Sequence, residues 1–223
     1  MTGGDDGLGG GAGPLLVLMH GFGAPGTDLL PFAGEIEAPP RTRLVFPEAP
    51  LSLPPEYGAG RAWWHIDIME LQMALLTGRM RELRDRVPDG LTEANAKVNA
   101  MLRALEPADR VLIGGFSQGA MLACDVALRS TDPFVGLVMM SGTFLAASEW
   151  TPLMPGRKGL PVFMSHGRED PLLPFALAES LRDAMKEAGL EVEWVPFSGG
   201  HGVAPGVIEG LTGFVGRCLK RPA

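Results

Sequence analysis

Apolar residues in this chain fall into two rhythms, and their alternation predicts the architecture. The first rhythm is the short unbroken run: Leu15–Met19, Thr42–Phe46, Arg110–Gly114, Gly136–Met140 and Pro161–Ser165. A strand wetted on one face alternates apolar and polar residues, so an unbroken run suits a strand covered on both faces, as in a parallel sheet. Glu191–Val195 does alternate, and reads as an edge strand. The second rhythm is helical. Met69, Met73, Leu76, Met80, Leu83 and Val87 draw one stripe along a predicted helix. Leu91–Leu105 repeats the pattern with Ala94, Val98, Met101, Leu102 and Leu105, and Thr92 reads as its N-cap. Shorter or weaker helices are predicted over 28–33, 120–128 and 174–188, the last stopped by Gly189, and a final helix ends near Leu219. Strands alternating with helices imply right-handed crossovers and a mostly parallel sheet, of about six to seven strands, with helices on both faces.

Composition narrows the class of function. The chain has 223 residues, 46% hydrophobic and 20% charged, enough for one globular domain with a substantial core. Residues 1–14, rich in glycine with two aspartates, read as a flexible tail, which leaves 15–223 as a single α/β domain. A formal net charge of −7 argues against a nucleic-acid partner, because phosphate binding needs a basic face. No apolar run is long enough to cross a bilayer, so stable membrane insertion is not expected. Cys124 and Cys218 lie on predicted helices without metal-ligand spacing; buried free thiols in a reducing compartment are expected, hence a cytoplasmic protein.

Candidate chemistry centres on Gly115-Phe116-Ser117-Gln118-Gly119, a G-x-S-x-G between a predicted strand and a predicted helix. Such a strand–turn–helix holds a serine at a strained elbow, its hydroxyl free and a helix N-terminus beneath it. Flanking glycines fit where backbone crowds backbone. Reactive groups of an open α/β sheet gather at the carboxyl ends of its strands. Those ends carry His20-Gly21-Phe22, Ser117, Asp170 and His201. A serine hydroxyl needs a base, which His201 can provide, and Asp170 can fix the histidine's tautomer. Glu169 and Asp125 compete for the acid: Asp125 lies inside the helix after the elbow, facing the wrong way, and Glu169 sits one step off the loop apex. Among the other histidines, His20 and His166 each precede a glycine at a strand end and read as loop props, while His65 lies in an apolar tract. An oxyanion needs donors, and the N–H of Gln118 is one; the second is expected from position at Phe22, after the first strand.

With these motifs assembled, the chain resembles the phospholipase/carboxylesterase family of α/β hydrolases, which includes acyl-protein thioesterases and small bacterial carboxylesterases. The matching segments are His20-Gly21-Phe22-Gly23 with Asp28-Leu29, Phe46-Pro47-Glu48-Ala49-Pro50, Arg61-Ala62-Trp63-Trp64, Gly115–Ala120, Ser141-Gly142, His166-Gly167 with Asp170, and Gly200-His201. The resemblance implies an α/β-hydrolase fold, a triad of Ser117, Asp170 and His201, oxyanion donors at Phe22 and Gln118, and Trp63 and Trp64 beside the acyl pocket. It implies a serine esterase acting on small ester or acyl substrates without metal or cofactor. The alternatives are a lysophospholipase or acyl-protein thioesterase preferring long chains, and a binding module that keeps the fold without turnover. Two departures stand out. A glycine-rich tail replaces the strand pair usual before the His-Gly motif, which points to six main strands with one edge differently covered. The helical connection at about 66–90 is longer than the family's, and its methionine-rich stripe reads as packed on the core, with a lid or a homodimer face as the other readings.

Overall fold

The computed structural model describes residues 13–77, 83–105 and 108–220. The expectation of a flexible tail over 1–14 falls almost wholly outside these residues. In chain order the elements are β1 (Leu15–Met19), α1 (Phe32–Glu35), β2 (Arg43–Val45), β3 (Leu51–Ser52), β4 (Arg61–Ala62), α2 (Ile68–Thr77), α3 (Leu91–Ala104), β5 (Val111–Phe116), α4 (Gln118–Arg129), β6 (Phe134–Met140), α5 (Ala147–Leu153), β7 (Pro161–Gly167), α6 (Phe175–Glu187), β8 (Glu191–Phe197) and α7 (Pro205–Leu219).

Six strands form one sheet in the order β2-β1-β5-β6-β7-β8, and every pairing in it is parallel. Unbroken apolar runs follow from the two-sided cover. Along β6, Leu137 and Met139 enter the core packed by α3, α4, α5 and α6, while Val138 and Met140 enter the one packed by α1 and α7. Ile113 and Leu112 of β5, and Met164 and Phe163 of β7, divide in the same way. Period-two geometry sends successive side chains to opposite faces, so a strand buried on both reads as an apolar run; Ser165 and His166, buried at the carboxyl end of β7, depart from it. The alternating β8 is the edge strand, as expected. The opposite edge is β2, three half-buried residues.

The chain leaves β1 outward to β2, then returns across β1 to lay down β5 on its other side. That reversal opens a crevice at the carboxyl ends of β1 and β5, where open α/β sheets bind their ligands. Between β2 and α2 the proline-rich loop is pinned by the antiparallel pair β3–β4, which leads directly into Trp63-Trp64, and Trp64 reaches this crevice.

Three local expectations are corrected. The helix expected over 28–33 is α1, displaced to 32–35, because Pro31 has no N–H to continue a helix; the residues before it form turns such as Asp28 N–H to Pro25 O, 3.0 Å. Thr92 is not the N-cap of α3: Gly90, with φ 90°, occupies that position. The stripe from Met69 to Val87 does not pack on the core as one face: among its described residues Met69, Met73 and Leu76 are 76%, 57% and 82% exposed, Val87 is exposed too, and only Leu83 joins the core. Met80 lies outside the described residues. The spacing is helical in α2, but no described element covers that face. The described part of this helix is Ile68–Thr77, and Pro88 disfavours helix at Val87.

Candidate active site

Backbone crowding makes the elbow. Between β5 and α4, Ser117 stands at φ 52°, ψ −116°, a left-handed conformation that non-glycine residues adopt only when their surroundings force it. Its N–H donates to Met140 O (2.8 Å) and its C=O accepts from Met121 N–H (3.1 Å), which fix the turn from β6 and from α4. A Cβ on Gly119 would lie 2.1 Å from Met19 O, and one on Gly115 2.4 Å from the same oxygen. The glycines of the motif are therefore demanded by β1 passing directly against the elbow.

Ser117 Oγ lies 2.9 Å from His201 Nε2, and His201 Nδ1 lies 2.7 Å from Asp170 Oδ2. A carboxylate can only accept, so Nδ1 carries the proton and Nε2 accepts from the serine hydroxyl. Asp170 Oδ1 accepts two backbone N–H groups, from Leu172 (2.8 Å) and Leu173 (2.9 Å). Burial works against ionisation of this carboxyl. Hydrogen bonds from His166, His201 and the Leu173 amide outweigh it and hold the group below the usual carboxylate range. The loops after β7 and β8 are laced together: Arg168 N–H donates to Phe197 O (2.9 Å) and Glu169 N–H to Gly199 O (3.1 Å). A Cβ on Gly167 would fall 2.2 Å from Gly200 O, so this close approach also requires glycine.

The rival acids have other partners. Asp125 is fully buried and accepts from Asn95 Nδ2 (2.7 Å), Arg129 Nε (2.8 Å) and Trp150 Nε1 (2.8 Å), joining α3, α4 and α5. Glu169 accepts from Gly199 N–H and braces the loop that carries His201. His20 is a prop, as expected. Its Nε2 accepts from Ala49 N–H (3.0 Å), so Nδ1 carries the proton donated to Gly21 O (2.8 Å), and burial lowers its basicity.

Ser117, His201, Phe22 and Gln118 all line one cavity of about 590 Å³. Among the described residues, neither the N–H of Phe22 nor that of Gln118 donates to another group, so both are available to an oxyanion. Leu71, Leu83, Met121, Leu145 and Leu173 give the cavity an apolar wall, and the exposed Asp28, Asp67 and Asp89 stand at its rim. The two tryptophans part company. Trp64 lines the cavity, as does His65, whereas Trp63 turns away and donates its indole N–H to His20 O (2.9 Å). With the polar edge of its indole spent on the β1 loop, Trp63 acts as a strut.

Two supporting side-chain contacts were not foreseen from the sequence. Gln118, whose N–H faces the cavity, also clamps the tryptophan loop with its side chain, accepting from Trp63 N–H and donating to Trp64 O, each at 2.9 Å. Ser141 Oγ donates to Gly202 O (2.8 Å) and steadies the turn next to His201. Both are tertiary contacts to backbone, which no side-chain spacing encodes; the Ser141-Gly142 pair at a strand end was the one legible hint.

A family model described as Phospholipase/Carboxylesterase matches residues 10–219. Acyl-protein thioesterase 1 of Neurospora crassa is 25% identical over 219 residues, which cover 93% of this chain and 88% of that protein. Among solved structures, the esterase PE8 superposes with a TM-score of 0.76 at 26% identity, over 95% of this chain and 94% of its own. Acyl-protein thioesterase 2 of Zea mays shares the fold, with a TM-score of 0.71 at 21% identity, over 95% of this chain and 96% of its own.

Proposed function

The chain belongs to the phospholipase/carboxylesterase family and has its α/β-hydrolase fold, and on that premise we propose that it is a serine hydrolase cleaving carboxylic ester and thioester bonds through an acyl-enzyme. One observation carries the reading: the unbroken hydrogen-bond chain from Ser117 Oγ through His201 to Asp170, at 2.9 and 2.7 Å, opening into an apolar cavity. Ser117 Oγ attacks the substrate carbonyl carbon while His201 Nε2 takes the hydroxyl proton. Asp170 keeps the histidine tautomer and stabilises the imidazolium. The N–H groups of Phe22 and Gln118 receive the oxyanion, and the dipole of α4, whose first residue is Gln118, favours the developing charge. The imidazolium then protonates the departing alkoxide or thiolate. Water, deprotonated by the same nitrogen, releases the acid and restores Ser117.

Relatives named as acyl-protein thioesterases support the acyl substrate class. The apolar wall and about 590 Å³ of volume favour the long-chain reading within that class, since a short acyl group leaves such a cavity largely unfilled. Residues 15–223 act as one catalytic domain in this reading. Its location is cytoplasmic, which agrees with two buried cysteines that form no disulfide.

The test is hydrolysis of p-nitrophenyl esters from acetyl to palmitoyl, with Ser117→Ala alongside. The wild type is expected to turn over with a preference for longer chains, and the variant to lose roughly 10⁴-fold or more in kcat. Normal turnover by Ser117→Ala would remove the mechanism, and a peak at acetyl or butyryl would move small esters to first place.

A further inference from the structure

His166 has no part in the chemistry above, yet its ring reaches the acid of the triad. Its Nε2 lies 3.2 Å from Asp170 Oδ2, the same oxygen that accepts from His201 Nδ1. That nitrogen also lies 2.8 Å from Leu173 O. A carbonyl oxygen can only accept, so Nε2 bears the proton and the tautomer is fixed. Nδ1 of the same ring is buried with no partner among the described residues. The single N–H is thus shared, the shorter contact to Leu173 O and the longer one to the carboxylate.

This sharing closes a ring of contacts. His166 Nε2–H donates to Leu173 O, Leu173 N–H donates to Asp170 Oδ1, and Asp170 Oδ2 faces His166 Nε2 again. Asp170 sits on a loop, whereas His166 belongs to β7, a strand paired on both sides by β6 and β8, and its ring packs against Phe175 of α6 at 6.1 Å between centroids. We infer that His166 is the positioning residue for Asp170: from a rigid strand it holds the carboxylate so that Oδ2 is presented to His201 Nδ1. Rotation of the carboxylate would take Oδ2 away from both imidazoles at once, and His166 resists that rotation. Without it, the contacts that fix the carboxylate, apart from the His201 bond it must present, are the two amides of its own loop at Oδ1.

This inference rests on the triad reading, and the experiment separates the two. His166→Leu removes the donor, while the amide N–H of His166→Gln reaches toward the place of Nε2. Steady-state kcat and KM are measured for both variants and for Ser117→Ala. The downfield proton resonance of the N–H between His201 and Asp170 is recorded for both His166 variants. The expected result is a loss in kcat on the order of 10²-fold in His166→Leu with KM unchanged, the scale of a small misplacement of a reacting group. Its downfield resonance shifts or disappears, and His166→Gln recovers kcat to within about tenfold of wild type. A folded His166→Leu with wild-type kcat overturns the inference, as does equal loss in both variants with the resonance unchanged. Should His166→Leu fail to fold, His166→Gln decides alone: near-wild-type kcat with the resonance in place supports the role, and a larger loss overturns it. If Ser117→Ala were as active as wild type, the triad reading itself would fall, whatever the His166 variants do.

Discussion

Asp170→Asn replaces a single oxygen with an NH₂ group, and the contacts around the carboxylate dictate where that group goes. Oδ1 receives the N–H groups of Leu172 and Leu173 at 2.8 and 2.9 Å, so an NH₂ there would face two donors. The amide oxygen therefore keeps that side, and the NH₂ takes the place of Oδ2, 2.7 Å from His201 Nδ1. The Nε2–H of His166, 3.2 Å from Oδ2, opposes this choice, but it retains Leu173 O at 2.8 Å. One long, shared contact loses to two short bonds. Facing a donor, His201 Nδ1 must accept, so its proton moves to Nε2. Nε2 then donates to Ser117 Oγ and can no longer take the hydroxyl proton. The wrong tautomer costs about 10⁴-fold in kcat, or about 5.5 kcal/mol at 1.36 kcal/mol per decade. The assay is steady-state hydrolysis of a p-nitrophenyl ester by Asp170→Asn, Asp125→Asn and Glu169→Gln, with folding checked by circular dichroism. Only the first is expected to lose turnover on this scale. A folded Asp170→Asn within tenfold of wild type would refute the tautomer argument, and a larger loss in either of the others would reassign the acid.

Asp125→Ala should cost stability and spare kcat. It strands the buried donors of Asn95 and Trp150, at about 1–3 kcal/mol each, while Arg129 can turn to water and keeps Glu149. Urea unfolding should therefore register about 2–6 kcal/mol, and a loss below 1 kcal/mol, or a fall in kcat at full folding, would count against the α3–α4–α5 hub. The two thiols should be silent in the native protein. Burial disfavours the thiolate, pushing Cys218 up to about 11 and Cys124 upward as well, so a thiol reagent at pH 8 should label neither until denaturant is added. The sign follows for stability: a raised thiol contributes fully below its unfolded value near 9 and loses that contribution as pH climbs through about 11. Cys218→Ala should flatten the alkaline limb of the unfolding curve, and an unchanged limb would contradict the assignment.

By itself the sequence determined the layered α/β architecture and the elbow. Two-sided burial leaves unbroken apolar strands, and helices leave three-four spacing; both are local consequences of backbone period. The glycines around Ser117 were legible for the same reason, since crowding at a tight turn admits no other residue there. Tertiary structure decided what depends on distance across the chain. His201 meets Asp170 across 31 residues and Ser117 across 84, and loop conformation rather than spacing closes those gaps. Candidate acids differ only in what surrounds them: Asp125 meets three donors inside a helical layer, whereas Asp170 meets an imidazole at the cavity. Periodicity likewise drew the apolar face of α2 correctly but could not say whether anything covers it, because burial belongs to the neighbouring element and not to the helix. The same limit separates Trp63 from Trp64. Adjacent in sequence, one is a strut on His20 and the other a cavity wall, because the clamp of Gln118 on their backbone fixes which way each indole turns.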